Sequence, residues 1–190
     1  HGGMNNAQFL LDRRIPAGDW NTKTAQKELN ERLKAKYPSA DKLVTWVSNY
    51  QVFFDTQKID SLGLDYAAIK QDAVNLLKKN KMVQYACDME KASIESIPEE
   101  IKYRIINGYN RERSGGVQVI LKPAHYSNGM KGTTHGAWNG YDTHIPLVFM
   151  GWGIQHGAST KPVYMTDIAP TVCALLHIQA PNGCIGEPIF

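Results

Sequence analysis

Apolar residues recur along this chain with two different periods, and the alternation between them predicts layered α/β structure. In residues 22–36, Ala25, Leu29 and Leu33 stand four apart with lysine, glutamate and arginine between them, the spacing of a helix with one buried stripe. Pro38 ends it. Residues 43–49 and 51–55 are β-branched and aromatic with partial alternation, which predicts two strands joined about Asn49-Tyr50. A second helix is expected over 66–79, capped by Asp65, with Ala67, Ile69, Ala73, Val74, Leu76 and Leu77 as its buried stripe. Residues 82–89 read as a strand. Pro98, Glu99 and Glu100 mark the start of a helix reaching Tyr109, because proline is tolerated in the first turn and acids favour the positive end of the dipole. Strands over 117–121 and 145–150 and a last helix over 166–176 complete the pattern, while residues 7–11 are only a short apolar stretch. The long interval left over is the glycine-rich loop 127–142, and such loops in compact domains tend to be functional.

The bulk numbers narrow the function classes. With 190 residues, 43% hydrophobic and 21% charged, the chain can bury a core of one domain. A net charge of +3, with Lys78, Lys79 and Lys81 the tightest basic group, lacks the concentrated face that nucleic-acid polymers require. No apolar run approaches the roughly 20 residues of a membrane span. Cys87, Cys173 and Cys184 form neither a metal knuckle nor an even disulfide set, leaving any Cys173–Cys184 pairing open. No GxGxxG, GxxxxGK[ST] or GxSxG motif occurs, which argues against nucleotide-fold and serine-hydrolase chemistry. The opening His1-Gly2-Gly3-Met4 has no signal-peptide character, and a natural chain does not start on histidine, so an upstream portion is expected.

Chemistry concentrates where the loop runs into the expected strand at 145–150. Thr134-His135-Gly136 is followed by Tyr141-Asp142-Thr143-His144-Ile145-Pro146-Leu147, placing ligand-type side chains at a strand end, where α/β enzymes build sites. Histidine is the commonest metal ligand. Trp138, Tyr141 and Trp152 either line a pocket or belong to the core, the commoner place for aromatics beside a strand. Gly132, Gly136, Gly140, Gly151 and Gly153 suggest tight turns. Asp167 is explained by its place at a helix start, and His125, His156 and His177 by surface or capping roles.

These motifs, with Gly151-Trp152-Gly153-Ile154, Tyr164-Met165-Thr166-Asp167-Ile168-Ala169-Pro170-Thr171 and Pro181-Asn182-Gly183-Cys184-Ile185-Gly186, resemble the closing segments of the alkaline phosphatase superfamily, and specifically its bacterial phosphodiesterase-like alkaline phosphatases. The likeness is specific over 117–190 and weaker over 16–116. It implies the C-terminal part of an α/β sandwich of mixed sheet and helices, with a cap-like α+β insertion. On that reading residues 1–20 are an active-site loop, 21–116 the insertion and 117–190 the end of the catalytic core.

By the same resemblance His135 binds one of two zinc ions. His1-Gly2-Gly3 looks like the tail of an Asp-His-Gly motif for the other ion, making His1 the second metal ligand. Asp142 is the candidate to orient the His135 ring, with a turn-making role as the alternative. His144 has no metal role in the family and is expected to be buried and hydrogen-bonded. The threonine or serine nucleophile and the remaining ligands lie before this chain begins, so no catalytic nucleophile is assigned here. The implied reaction is hydrolysis of a small phosphate ester through a phosphoryl-enzyme, in a secreted or periplasmic protein. Phosphodiester or nucleotide pyrophosphate hydrolysis, and a non-catalytic interaction module, are the rival readings. The isolated chain is expected to be inactive, to hold zinc poorly and to self-associate through exposed strand surface.

Overall fold

The computed structural model describes residues 2–190, which divide into two compact units between His144 and Ile145. The first unit is built on a four-stranded antiparallel sheet in the order β2 (Val44–Ser48), β3 (Gln51–Phe54), β5 (Val117–Leu121), β4 (Val83–Asp88). All five residues of β5 are buried, as expected of a central strand covered on both faces. Its period-2 alternation divides them. Val117, Val119 and Leu121 join one core cluster and Ile120 the other.

Two helices cover the first face. In α2 (Thr22–Lys36) the buried residues are Ala25, Leu29 and Leu33, the stripe its spacing predicts, and Asn21 caps it by accepting the Thr24 N–H. In α4 (Tyr66–Leu77) Ile69, Ala73, Val74 and Leu77 are buried, and Asp65 caps by accepting from Ala67 and Ala68. Burying each such aliphatic side chain contributes about 1.5–3 kcal/mol. The opposite face is covered by a 3-10 segment (Met89–Ile94) and α5 (Glu99–Gly108), which bring Met89, Ala92 and Ile105 against Cys87 and Ile120. Burial pushes the Cys87 thiol up to about 12, which leaves it a packing group rather than a nucleophile.

Lys70, on the buried side of α4, is held by an ion cluster. Its Nζ donates to Asp88 (2.9 Å) and to Glu90, and the Lys70 and Asp88 side chains are only 2% and 3% exposed. Tyr109 extends the cluster by donating to Glu90 (3.1 Å).

Between β2 and β3 the chain turns in two residues, Asn49 and Tyr50, both left-handed at φ 48° and 59°. Such tight hairpins favour glycine in this conformation. A bulky side chain there costs about 1–2 kcal/mol. Tyr50 is nevertheless tightly held: its carbonyl accepts from Val119 N–H (2.7 Å) and from Gln118 Nε2 (3.0 Å).

Short elements absent from the sequence reading set the edge of this unit. They are α1 (Ala7–Leu11), α3 (Thr56–Ser61) and a two-residue parallel pair of β1 (Gly18–Asp19) with β6 (His125–Tyr126). Hydrophobic periodicity cannot mark pieces this short.

In the second unit a 3-10 turn (Met165–Asp167) leads into α7 (Ile168–Leu176), closed by His177 at φ 53°. Asp167 accepts the Tyr164 N–H (2.8 Å) and the Glu187 N–H (3.1 Å), while Thr171 Oγ1 accepts the Ile189 N–H (3.0 Å). These bonds tie the C-terminal tail to the helix start. Phe149 and Phe190 meet edge to face at 5.5 Å.

The strand expected over 145–150 does not form. A strand needs a hydrogen-bonded neighbour, and none of the described strands pairs with this segment. It leaves Val148 81% and Met150 95% exposed, and Trp152, expected in core or pocket, is 84% exposed. All three cysteines are free thiols. No helix of the described residues is long and apolar enough to cross a membrane.

Candidate metal centre

The loop 127–142 folds back on itself around one carboxylate. Asp142 lies in α6 (Gly140–Thr143), a single helical turn that begins after Asn139. Its Oδ2 accepts the N–H groups of Gly136 and Ala137, both at 2.7 Å, and its Oδ1 lies 2.6 Å from Nδ1 of His135. The Asp142 side chain is 4% exposed, while that of His135 is 60% exposed. A carboxylate has only acceptors to offer, so Nδ1 of a neutral His135 carries the proton and Nε2 the lone pair. Gly136, at φ 102°, makes the reversal that brings the following N–H groups onto the carboxylate.

The N-terminal segment is stitched to this loop. Thr133 Oγ1 donates to the Met4 carbonyl (2.5 Å) and Gln8 N–H to that of Met130 (2.9 Å), while the Tyr126 hydroxyl donates to the Gly132 carbonyl (2.7 Å) with the Asn5 carbonyl 3.4 Å away. The approach is close. A β-carbon at Gly2 would stand 2.3 Å from the Tyr141 carbonyl oxygen, and one at Gly3 would stand 3.7 Å from Cε1 of His135. His1 itself lies outside the described residues; of the glycines that follow it, Gly2 sits beside Tyr141 and Gly3 beside His135.

No protein-family model matches the chain. It is 44% identical over 190 residues to the alkaline phosphatase PafA of Elizabethkingia meningoseptica, covering all of this chain and 34% of that protein. To the alkaline phosphatase PhoV of Synechococcus elongatus it is 51% identical over 143 residues, covering 75% of this chain and 26% of PhoV. The crystal structure of wild-type PafA superposes with a TM-score of 0.92 at 44% identity over the whole chain and 36% of its own length. The chain belongs to the alkaline phosphatase superfamily. A Myroides odoratus protein named calcium-transporting ATPase is also 44% identical, over 191 residues, with 35% of its length covered. The chain thus spans about a third of the length of the curated relatives that match all of it.

The mixed parallel and antiparallel pairing within an α/β unit is that of the C-terminal part of the alkaline phosphatase fold. Of the loop residues, His135 and Asp142 are brought together. His144 is not buried as expected: it is exposed immediately after the α6 turn, and its backbone N–H donates to the Gly140 carbonyl (2.9 Å). Trp138 is half-buried against the cluster of Cys87, Met89, Ala92, Ile105 and Ile120, and the Tyr141 hydroxyl accepts the Ala124 N–H (3.2 Å). Both aromatics therefore support the loop. Among the described residues, no group of three or more His, Cys, Asp and Glu side chains could hold a metal ion.

Tyr50 is the residue that sequence reasoning passed over. The hairpin tip was legible, but nothing in its apolar pattern shows that this tyrosine stands next to the loop. The available signal was its identity, an aromatic where a two-residue turn favours glycine.

Proposed function

We propose that this chain is the C-terminal part of a two-zinc, alkaline-phosphatase-like phosphomonoesterase, in which His135 ligates one ion and His1 the other. The observation that carries this reading is the Asp142 carboxylate on His135 Nδ1, itself held by two backbone N–H groups. That is the arrangement by which proteins fix the tautomer and direction of a metal-binding imidazole. Asp142 holds the proton at Nδ1 and so places the lone pair on Nε2. The seam between residues 2–8 and the loop holds the segment that follows His1 against the loop that carries His135. Zinc, when bound, supplies Lewis acidity that lowers the pKa of an attacking hydroxyl and stabilises a leaving oxygen.

The nucleophilic threonine or serine and the remaining ligands belong to the portion of the relatives that this chain does not cover. On this reading residues 1–20 are an active-site loop, residues 21–116 a cap-like insertion that completes its sheet with β5, and residues 117–190 the end of the catalytic core. The intact protein works in the periplasm or outside the cell on small phosphate esters. The name of the Myroides relative favours nucleotide phosphoanhydrides as a second substrate class.

The test is zinc content by elemental analysis together with hydrolysis of p-nitrophenyl phosphate and ATP, on this chain and on an upstream-extended form. Zinc with monoester turnover in the long form, and neither in the short one, supports the reading. Preference for ATP selects the anhydride alternative. Absence of zinc and turnover in both makes this a non-catalytic module.

The exposed apolar residues of the second unit, Val148, Met150 and Trp152 among them, also lead us to expect the isolated 190-residue chain to self-associate. Light scattering over a wide concentration range checks it. A clean monomer throughout contradicts the expectation.

A further inference from the structure

We infer that Tyr50 is a positioning residue for His135, linking the β2–β3 hairpin to both halves of the ligand loop. The inference rests on the reading of His135 as a metal ligand. Three observations carry it.

The Tyr50 hydroxyl accepts the Ser127 N–H (3.3 Å) at the start of the loop. Its ring stands against Gly136, the residue after His135, such that a β-carbon there would lie 3.5 Å from Tyr50 Cε2. Tyr50, Leu121, His125, Gly136, Ala137 and Trp138 together enclose only about 10 Å³, so the loop is seated on the hairpin with room for no ligand between them. The backbone is the second line of argument. Tyr50 occupies a left-handed turn position that suits glycine, and strain of this kind persists where the surroundings over-determine it, which happens most often at functional sites. The surroundings here are the third. The Tyr50 carbonyl is fixed by Val119 and Gln118 on the central strand, and its ring lies 6.1 Å from that of buried Trp20.

Asp142 and Tyr50 therefore hold the same segment in complementary ways. The carboxylate captures His135, Gly136 and Ala137 through polar contacts, and the phenol ring provides the floor beneath Gly136. Removing the floor lets the segment tilt and loosens the Nδ1 contact even with Asp142 intact.

The test reads the metal-free chain, so it stands apart from the zinc question. Imidazole ¹⁵N spectra report the His135 tautomer, and amide hydrogen exchange reports Ser127. Tyr50→Gly suits the turn while deleting ring and hydroxyl; Tyr50→Phe keeps the ring and deletes the hydroxyl alone. In Tyr50→Gly the preference for Nδ1–H is expected to fall about fivefold, and in Tyr50→Phe to return to within about twofold of the unmodified chain. Ile59→Val, a core change in α3 away from the loop, is expected to leave the tautomer unmoved. Exchange at Ser127 in Tyr50→Phe should quicken about tenfold. An unaltered tautomer ratio in Tyr50→Gly overturns the inference; so does an unaltered Ser127 rate in Tyr50→Phe, which remains readable should the glycine variant not fold. Zinc analysis of the extended protein can fail while these results hold, and the reverse.

Discussion

Changing Asp142 to asparagine is expected to weaken zinc binding by the intact protein about 10- to 100-fold while the loop stays folded. The reason lies in which atoms donate. Asp142 offers acceptors to three donors: the Gly136 N–H, the Ala137 N–H and His135 Nδ1. Asparagine has one acceptor oxygen and one donor NH₂. Turning the oxygen toward the two backbone N–H groups keeps the loop, but the NH₂ then faces His135 and asks Nδ1 to accept. The proton moves to Nε2, where a metal ion needs the lone pair. Competition with a chromophoric chelator, alongside the ¹⁵N tautomer measurement, checks this. A full tautomer switch with unchanged zinc affinity would remove His135 from the ligand set, and unchanged values of both would show that the Asp142 contact does not govern the ring.

The second large effect concerns stability. Lys70→Met is expected to destabilise the first unit by about 3–5 kcal/mol, because it leaves the Asp88 carboxylate buried without its cation. Adding Asp88→Asn should recover most of the loss. The amide cannot carry an uncompensated charge, yet it can still accept the Glu90 N–H that Asp88 now receives at 3.0 Å. Urea unfolding of the single and double variants measures both values. Equal stability of Lys70→Met and the unmodified chain would mean that water reaches Asp88.

The cluster also sets a pH window. Burial works against the Lys70 ammonium, but hydrogen bonds to Glu90 and Asp88 outweigh it and raise its pKa. Its contribution is therefore complete below the unfolded value of about 10.4 and disappears as pH climbs through the folded one. Glu90 behaves oppositely: its hydrogen bond from Lys70 lowers its pKa, so its contribution is present above about 4.3 and is lost as pH falls through the folded value. Stability from this cluster is greatest between those limits.

Long amphipathic elements were legible because burial and periodicity agree in them. Ala25, Leu29 and Leu33 occupy the buried face of α2, β5 spans 117–121 as expected, and Asp65 caps α4. The segment 145–150 shows the limit of that logic. Its composition is that of a strand, but pairing is a property of two segments, and no described strand lies beside it. Of the site, the pair His135 and Asp142 could be nominated from the motif, whereas their 2.6 Å contact depends on the turn at Gly136 and the helical turn at Gly140–Thr143. Tyr50 offered only its identity as an aromatic at a turn that favours glycine, since its importance comes from a fold that joins positions 50, 127 and 136.

The seam between the N-terminal segment and the loop has a consequence for the order in which this molecule is made. Its bonds join Met4 to Thr133 and Gln8 to Met130, residues separated by nearly the whole first unit, whereas the hairpin closes between neighbours. Contacts so distant along the chain are slow to find unless intervening structure has already drawn their ends together. On the ribosome, at roughly 5–20 residues per second, the hairpin has emerged seconds before Thr133 exists. The hairpin is then ready before the loop that packs on it, and a ribosome stalled before residue 127 should carry the β2–β3 hairpin without the contacts of Tyr50 to Ser127 and Gly136.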